Sequence, residues 1–277
     1  MTSSLNSSSL NSSKLKQQGE GHKLRPKASH HLLLLLDYDG TLTPIVKTPR
    51  EAKFPPKTRA LVKRLSKHPL VTLAVISGRQ LENVKKMVRL PRLIYSGNHG
   101  LELKGGGYEF LNPKARKATK ALESISKQLK KELAHIPNAL IEDKQLTLSV
   151  HYRLVSKRKI ALVKRIVHRI SKPWRKRKLV RLTRGKCVIE VRPNTTWDKG
   201  AVVEWLAKQV EQKTKPKKLF PIYIGDDVTD ESAFRAVNRL KGASFLVRER
   251  ARKTSAQYRI TSASNVARFL GWVEKNV

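Results

Sequence analysis

The chain has 277 residues, 39% of them hydrophobic, and carries 59 Lys and Arg against 21 Asp and Glu, a formal charge of +38. No segment approaches the ~18 apolar residues of a membrane-spanning helix, and a single cysteine, Cys187, excludes an intramolecular disulfide. A field this basic attracts nucleic acid, anionic surfaces or anionic small molecules, but the excess runs along the whole chain and selects none of them.

Residues 1–29 are mostly Ser, Asn, Lys and Gln with almost nothing apolar, and are expected to form a disordered basic tail. With one cysteine and no signal-peptide pattern, the chain reads as cytoplasmic. Leu32–Leu36 is an unbroken apolar run of strand length, as expected for a strand buried on both faces of a parallel sheet. Residues 57–68 place Leu61, Val62 and Leu65 at helical spacing. Residues 70–79 give a second buried strand ending in Ser-Gly-Arg, a helix follows through Val84, Met87 and Val88, and 92–97 form a short strand. Alternation of strand and helix with short turns predicts a doubly wound, Rossmann-like α/β sheet.

The alternation then breaks. Residues 101–111 predict a hairpin around three glycines, 114–134 a basic helix, and 139–153 two strands about a charged turn. A helix over 156–170, a Lys/Arg-rich stretch and a strand pair over 179–193 follow. This pattern predicts an α+β subdomain inserted into the α/β chain, with a core over 30–112 and 187–277 and a cap over 113–186. Cys187 is expected to be a small buried apolar residue. Beyond 194 the alternation returns, with a helix from Asp198, a buried strand over 219–227, a helix from Val228, a strand over 243–247 and a closing helix over 263–275.

In open parallel sheets the functional crevice lies at the carboxyl ends of the strands. Asp37 and Asp39 follow the first strand, Ser77 ends the second, and Asp226 and Asp227 follow the strand "PIYIG", with Asp230 one turn into the next helix. All fall on one rim. Clustered carboxylates repel unless a cation lies among them or some are protonated, and an oxygen-only set suits Mg²⁺ with room for a substrate phosphate. Gly40 allows a sharp turn there.

Four motifs in order, "DYDGTLTP", "ISGR", "WDKG" and "GDDVTDE", together resemble the haloacid dehalogenase superfamily of aspartate-nucleophile phosphotransferases. Within it, "SGNHGLE", "EDKQLTLSVHYR" and "GKCVIEVRP" resemble the trehalose-6-phosphate phosphatases over roughly residues 30–277. The resemblance implies that Asp37 is the nucleophile and Asp39 the general acid and base. It implies that Asp37, the Asp39 carbonyl and Asp226 hold Mg²⁺, supported by Asp227 and Asp230, while Ser77 and Lys199 bind phosphoryl oxygens. Substrate contacts would come from Gly78, Arg79, Asn98, His99 and Gly100 on the core. Arg153, Lys186, Glu190 and Arg192 would grip the sugar from the cap.

The expected activity is hydrolysis of trehalose 6-phosphate by a monomer, with no membrane or specific nucleic-acid partner. Two other readings stay open at this level. One is a phosphatase of sucrose phosphate or a glycosylglycerate precursor. The other is a polynucleotide 3′-phosphatase or basic nucleic-acid-binding protein, which the charge would suit.

Overall fold

The five leucines form the middle of β1 (His31–Asp37), and every residue of this strand is buried. The computed structural model describes residues 30–46, 51–185 and 187–277; the expected tail over 1–29 and Lys186 lie outside them. β1 is flanked in parallel by β2 (Val71–Ile76) and β10 (Leu219–Gly225). Beyond β2 come β3 (Ile94–Gly97), parallel, then β4 (Glu102–Gly105) and β5 (Tyr108–Leu111), antiparallel. Beyond β10 lie β11 (Ala243–Val247) and β12 (Tyr258–Ile260), both parallel. The eight-stranded sheet thus has a parallel body and an antiparallel edge hairpin.

Period-2 alternation sends successive leucines to opposite faces. Leu32, Leu34 and Leu36 pack with helices α1 (Pro56–Leu65), α2 (Leu81–Val88) and α7 (Ala263–Lys275). Leu33 and Leu35 pack with α5 (Lys199–Thr214) and α6 (Glu231–Arg239) on the other side. Burying each leucine is worth about 1.5–3 kcal/mol, so this strand fastens both helical layers at once.

The inserted segment builds its own core. α3 (Pro113–Leu133) is capped by Asn112, whose side chain accepts from Lys114 N and Ala115 N. α3 and α4 (Lys157–Lys176) cover one face of a four-stranded antiparallel sheet of order β6 (Leu140–Asp143), β7 (Leu148–His151), β9 (Val188–Pro193), β8 (Val180–Gly185). Leu148, Val150, Ile189 and Val191 supply the apolar face. α4 runs six residues past the expected 170, through Pro173, because Trp174 packs on this same core.

Two expectations are corrected here. The boundary expected at 186 would split the β8–β9 hairpin, whose ladder runs from Gly185↔Val188 to Val180↔Pro193. β9 lies between β7 and β8, so the second sheet extends to Pro193. Cys187 is not buried: it turns the hairpin with φ 59° and stays partly exposed. Among the described residues, no helix is long and apolar enough to cross a membrane.

Leu34 contributes to the closely packed core against α1 and α7. Leu34→Ala is expected to cost about 2–5 kcal/mol, the range for a buried leucine that leaves a cavity. Urea denaturation followed by circular dichroism would measure the loss.

Candidate active site

β1 delivers Asp37 at its carboxyl end, 4% exposed. The chain then loops tightly, with Leu42 N and Thr43 N both donating to Tyr38 O at 3.0 and 3.1 Å. Gly40 makes this loop possible on two counts. Its φ is +80°, and a Cβ there would overlap the Asp226 carboxylate, which follows β10 on the neighbouring strand. The two acidic motifs are therefore in contact across the rim.

Lys199, the first residue of α5, reaches into the cluster from the opposite layer. Its Nζ donates to Asp37 Oδ1 at 2.7 Å and to Asp230 Oδ1 at 2.6 Å, and all three residues are buried. Asp230 is fully engaged. Oδ1 also accepts from Tyr223 OH at 2.6 Å, while Oδ2 accepts from the backbone N–H groups of Asp226 and Asp227 at 3.1 and 3.0 Å. Asp227 is exposed and closes a reciprocal cap with Asp230.

Asp37, Asp226 and Asp230 bring carboxylate oxygens within 4.8 Å of one another, a donor set that fits a hard divalent cation. Asp230 already has four donors on its two oxygens, leaving Asp37 and Asp226 as the side chains with free capacity. Burial pushes the Asp37 carboxyl well up, opposed by Lys199. Burial, reinforced by Asp230, pushes Asp226 up to about 7. The Lys199 ammonium is held charged by Asp230 and Asp37, which together outweigh its burial. Fully ionised, the three carboxylates would carry more negative charge than one lysine offsets.

Asp39 faces outward, half-exposed, in a bidentate pair with Arg79: Nε donates to Oδ2 at 2.7 Å and Nη2 to Oδ1 at 2.6 Å. The guanidinium also lies over the Tyr38 ring. Ser77 is buried after β2, its Oγ accepting from Arg79 N at 3.2 Å. Gly78 leaves room for the His99 ring, which a Cβ would overlap. His99 has a left-handed backbone, φ 57°, and its buried Nδ1 has no partner among the described residues. Burial, then Lys199, Arg192 and Lys144, holds the imidazole well below its ordinary value, so the ring is neutral.

Asn98, expected to contact substrate, is occupied elsewhere. Its Nδ2 donates to Glu102 Oε1 at 2.7 Å and Lys144 O at 3.1 Å, and its Oδ1 accepts from Thr147 Oγ1 at 2.8 Å. It straps the main sheet to the β6–β7 turn. Gly100 likewise serves the framework: its carbonyl accepts from Trp197 Nε1 at 2.7 Å.

In the second sheet, Glu190 and Arg192 sit on the face opposite α3 and α4, beside Ser149 and Thr183. Glu190 accepts from Ser149 Oγ and Thr183 Oγ1 at 3.4 and 3.3 Å, and Arg192 Nη1 lies 3.9 Å from Glu190 Oε2. Arg153 is exposed beyond the far end of β7. Sequence reasoning missed Glu142, which pairs with His151 at 3.1 Å and Lys144 at 3.6 Å on this polar face. It also missed Glu102, whose Oε1 accepts from Leu81 N as well as from Asn98, and Tyr223. The signal for Tyr223 was present: a phenol inside an aliphatic buried strand needs a hydrogen-bond partner.

A parallel sheet with an acidic rim on its central strands, a lysine entering from the next layer and an inserted α+β domain is the haloacid dehalogenase-like arrangement. Within that class this chain belongs to the trehalose-phosphatase family, whose model matches residues 35–265. It is 34% identical over 249 residues to probable trehalose-phosphate phosphatase D of Arabidopsis thaliana, covering 86% of this chain and 66% of that protein. It is 32% identical to trehalose 6-phosphate phosphatase RA3 of Zea mays over 86% of this chain and 68% of that one. The chain thus spans about two thirds of these plant relatives. The C-terminal domain of Candida albicans trehalose-6-phosphate phosphatase superposes with a TM-score of 0.72 at 26% identity, covering 90% of this chain and 93% of that one. A trehalose-6-phosphate phosphatase related protein shares the fold, with a TM-score of 0.74 at 22% identity, covering 88% and 97%.

The raised Asp226 carboxyl has a consequence for stability. Its folded value of about 7 lies above its ordinary 3.8, so the native state holds a proton the unfolded chain has lost. That stabilisation is full below about pH 4 and is lost as pH rises through about 7. The melting temperature of the metal-free chain is expected to fall between pH 5 and 8, and to fall less in Asp226→Asn. At pH 8, Mg²⁺ should raise the melting temperature of the wild type and much less that of the variant. Calorimetry across pH, with and without Mg²⁺, checks both.

Proposed function

We propose that this chain is a Mg²⁺-dependent phosphatase that hydrolyses trehalose 6-phosphate to trehalose and inorganic phosphate through an aspartyl-phosphate. The observation that carries this reading is the buried Asp37 at the end of β1, 2.7 Å from the Lys199 ammonium and across the rim from Asp226. An anion attacking an anionic phosphate needs fixed positive charge beside it, and Lys199 and Ser77 are placed to bind phosphoryl oxygens. Mg²⁺, held by Asp37, Asp226 and the Asp39 carbonyl, would neutralise charge on the transferring phosphoryl group. Asp230 and Tyr223 fix the lysine, and Asp227 caps the turn that presents Asp226.

In the proposed reaction an Asp37 carboxylate oxygen attacks phosphorus and the bond from phosphorus to the sugar oxygen breaks. Asp39 gives the leaving oxygen a proton. Asp39 then takes a proton from water, the water oxygen attacks phosphorus, and the bond to Asp37 breaks, releasing phosphate and restoring both carboxyl groups. Arg79 fixes Asp39 in position between these steps. The inserted domain acts as a cap, with Glu190, Arg192, Lys186 and Arg153 gripping sugar hydroxyls and the neutral His99 offering its Nδ1 at the junction. In this reading the charged face of the cap sheet would roof the rim, which favours a small polar substrate over a polynucleotide.

Asp37→Asn is expected to fold normally and to lose turnover by about three orders of magnitude or more, as for other nucleophile deletions. Phosphate release would be measured from trehalose 6-phosphate, sucrose 6-phosphate and a 3′-phosphorylated oligonucleotide, with and without a chelator. Turnover by the variant, or preference for the oligonucleotide, would defeat the reading.

Recognition of sugar separates from chemistry in a second measurement. Glu190→Ala and Arg192→Ala each leave partners unpaired on the cap face, at a cost of about 1–3 kcal/mol, or roughly 5- to 150-fold in kcat/KM for trehalose 6-phosphate. An aryl phosphate, with no sugar to grip, should be hydrolysed nearly as well by the variants. Equal losses on both substrates would assign these residues to the framework instead.

A further inference from the structure

One cation on the polar face of the inserted sheet has no part in the chemistry proposed above. β8 is an edge strand, paired with β9. Val180 and Leu182 enter the core under α3 and α4. Period-2 alternation therefore turns Arg181 and Thr183 to the opposite face, the one that carries Glu190 and Arg192. The ladder fixes the neighbours: Arg181 stands directly across from Arg192, and Thr183 across from Glu190.

Arg181 is poorly matched to these surroundings. Its Nε is buried and has no hydrogen-bond partner among the described residues. Its cross-strand neighbour is a second guanidinium, and like charges directly opposite destabilise a ladder. The repulsion is felt at Arg192, whose proton affinity is lowered by burial and, against the pull of Glu190, by Arg181. Glu190 already accepts from Ser149 and Thr183 and lies against Arg192. Glu142, a second acid on this face, is taken by His151 and Lys144. A buried guanidinium N–H without an acceptor costs stability, and a bound molecule that brings an acceptor removes that cost.

The position suits a substrate that extends past the rim. His99, at the junction, lies within the fields of Lys144, beside the β6–β7 turn, and of Arg192, on β9. β8 lies one strand beyond β9, about 4.8 Å further across the sheet. That offset is comparable with the width of one sugar ring. A face that mixes guanidiniums, carboxylates and hydroxyls suits a neutral polyol, whose hydroxyls both give and accept hydrogen bonds. A second anionic group would meet Glu190.

We propose that Arg181 is a specificity-determining residue whose Nε–H donates to a hydroxyl oxygen on the unphosphorylated ring of a disaccharide phosphate. This rests on the sugar-phosphatase reading and adds to it that the second ring is recognised by the edge strand of the cap. A monosaccharide phosphate leaves the Arg181 donor empty.

The test compares phosphate release by the wild type, Arg181→Met and Arg181→Lys, in Mg²⁺, from trehalose 6-phosphate, glucose 6-phosphate and an aryl phosphate. Arg181→Met keeps a long side chain but removes an unpaired donor and a like charge, so it is expected to melt no lower than the wild type. Its kcat/KM for trehalose 6-phosphate should fall at least about tenfold, mostly through KM, as one charge-assisted hydrogen bond is lost. Turnover of glucose 6-phosphate and the aryl phosphate should change much less. Arg181→Lys keeps the charge without the Nε–H and should lose most of the same discrimination. A wild type that releases no phosphate from trehalose 6-phosphate would sink the sugar-phosphatase reading, and this inference with it. With an active wild type, any of four results would overturn the inference alone: unchanged kcat/KM for trehalose 6-phosphate in Arg181→Met, equal losses on all three substrates, a lowered melting temperature, or full rescue by lysine.

Discussion

The chain of contacts Asp37–Lys199–Asp230 is the constraint on which the rest of the molecule depends. Three ions in a buried site carry a desolvation cost of several kcal/mol each, repaid only when geometry is close and remaining hydrogen-bonding capacity is filled. The fold meets that condition from three directions. β1 supplies one carboxylate, the turn after β10 supplies the other, and α5 crosses from the opposite layer with the lysine. Lys199 occupies the first position of α5, where the helix dipole disfavours a cation, and Asp198 caps that end by accepting from Ala201 N. The lysine is therefore held there by the two carboxylates, at some expense to the helix. The lysine and the positive helix terminus therefore lie side by side at the rim.

Much of this was legible in the sequence because it follows from short-range pattern. An unbroken apolar run, strand–helix alternation and acidic residues just past strand ends place the rim without any knowledge of packing. What was hidden depends on contacts between distant segments. Asn98 sits in a glycine-flanked loop that looked like a binding turn, yet its partners are Glu102, Lys144 and Thr147, and no local pattern reveals a side chain whose bonds run to another sheet. Tyr223 is read as one more core residue until Asp230 is known to lie under its hydroxyl. The second domain was drawn short because residues 188–193 alternate like any strand, and only the β8 ladder shows which sheet receives them.

The Asn98 strap also bears on how the two domains communicate. Its amide is fixed to the main sheet through Glu102, which in turn holds the first N–H of α2, and to the inserted sheet through the β6–β7 turn. One residue further, His99 lies within the fields of Lys199 on one side and of Arg192 and Lys144 on the other. A displacement of the inserted domain must therefore be felt at the residue between the two charged faces.

The leucine strand has one further consequence. Five identical side chains in a strand buried on both faces give no internal cue to register, since a slide by one position replaces leucine with leucine on either side. Such a slide moves the strand end by about 3.3 Å, enough to carry Asp37 out of reach of Lys199. The alignment is set by what brackets the run. At its start His31 Nε2 meets Thr72 Oγ1 at 2.8 Å and His31 N donates to Lys218 O at 2.9 Å. At its close the Tyr38 hydroxyl donates to Ala52 O at 3.0 Å. These polar bookends work as a vernier on a featureless scale: the apolar run supplies grip, and the few hydrogen bonds at its margins determine where along the groove Asp37 comes to rest.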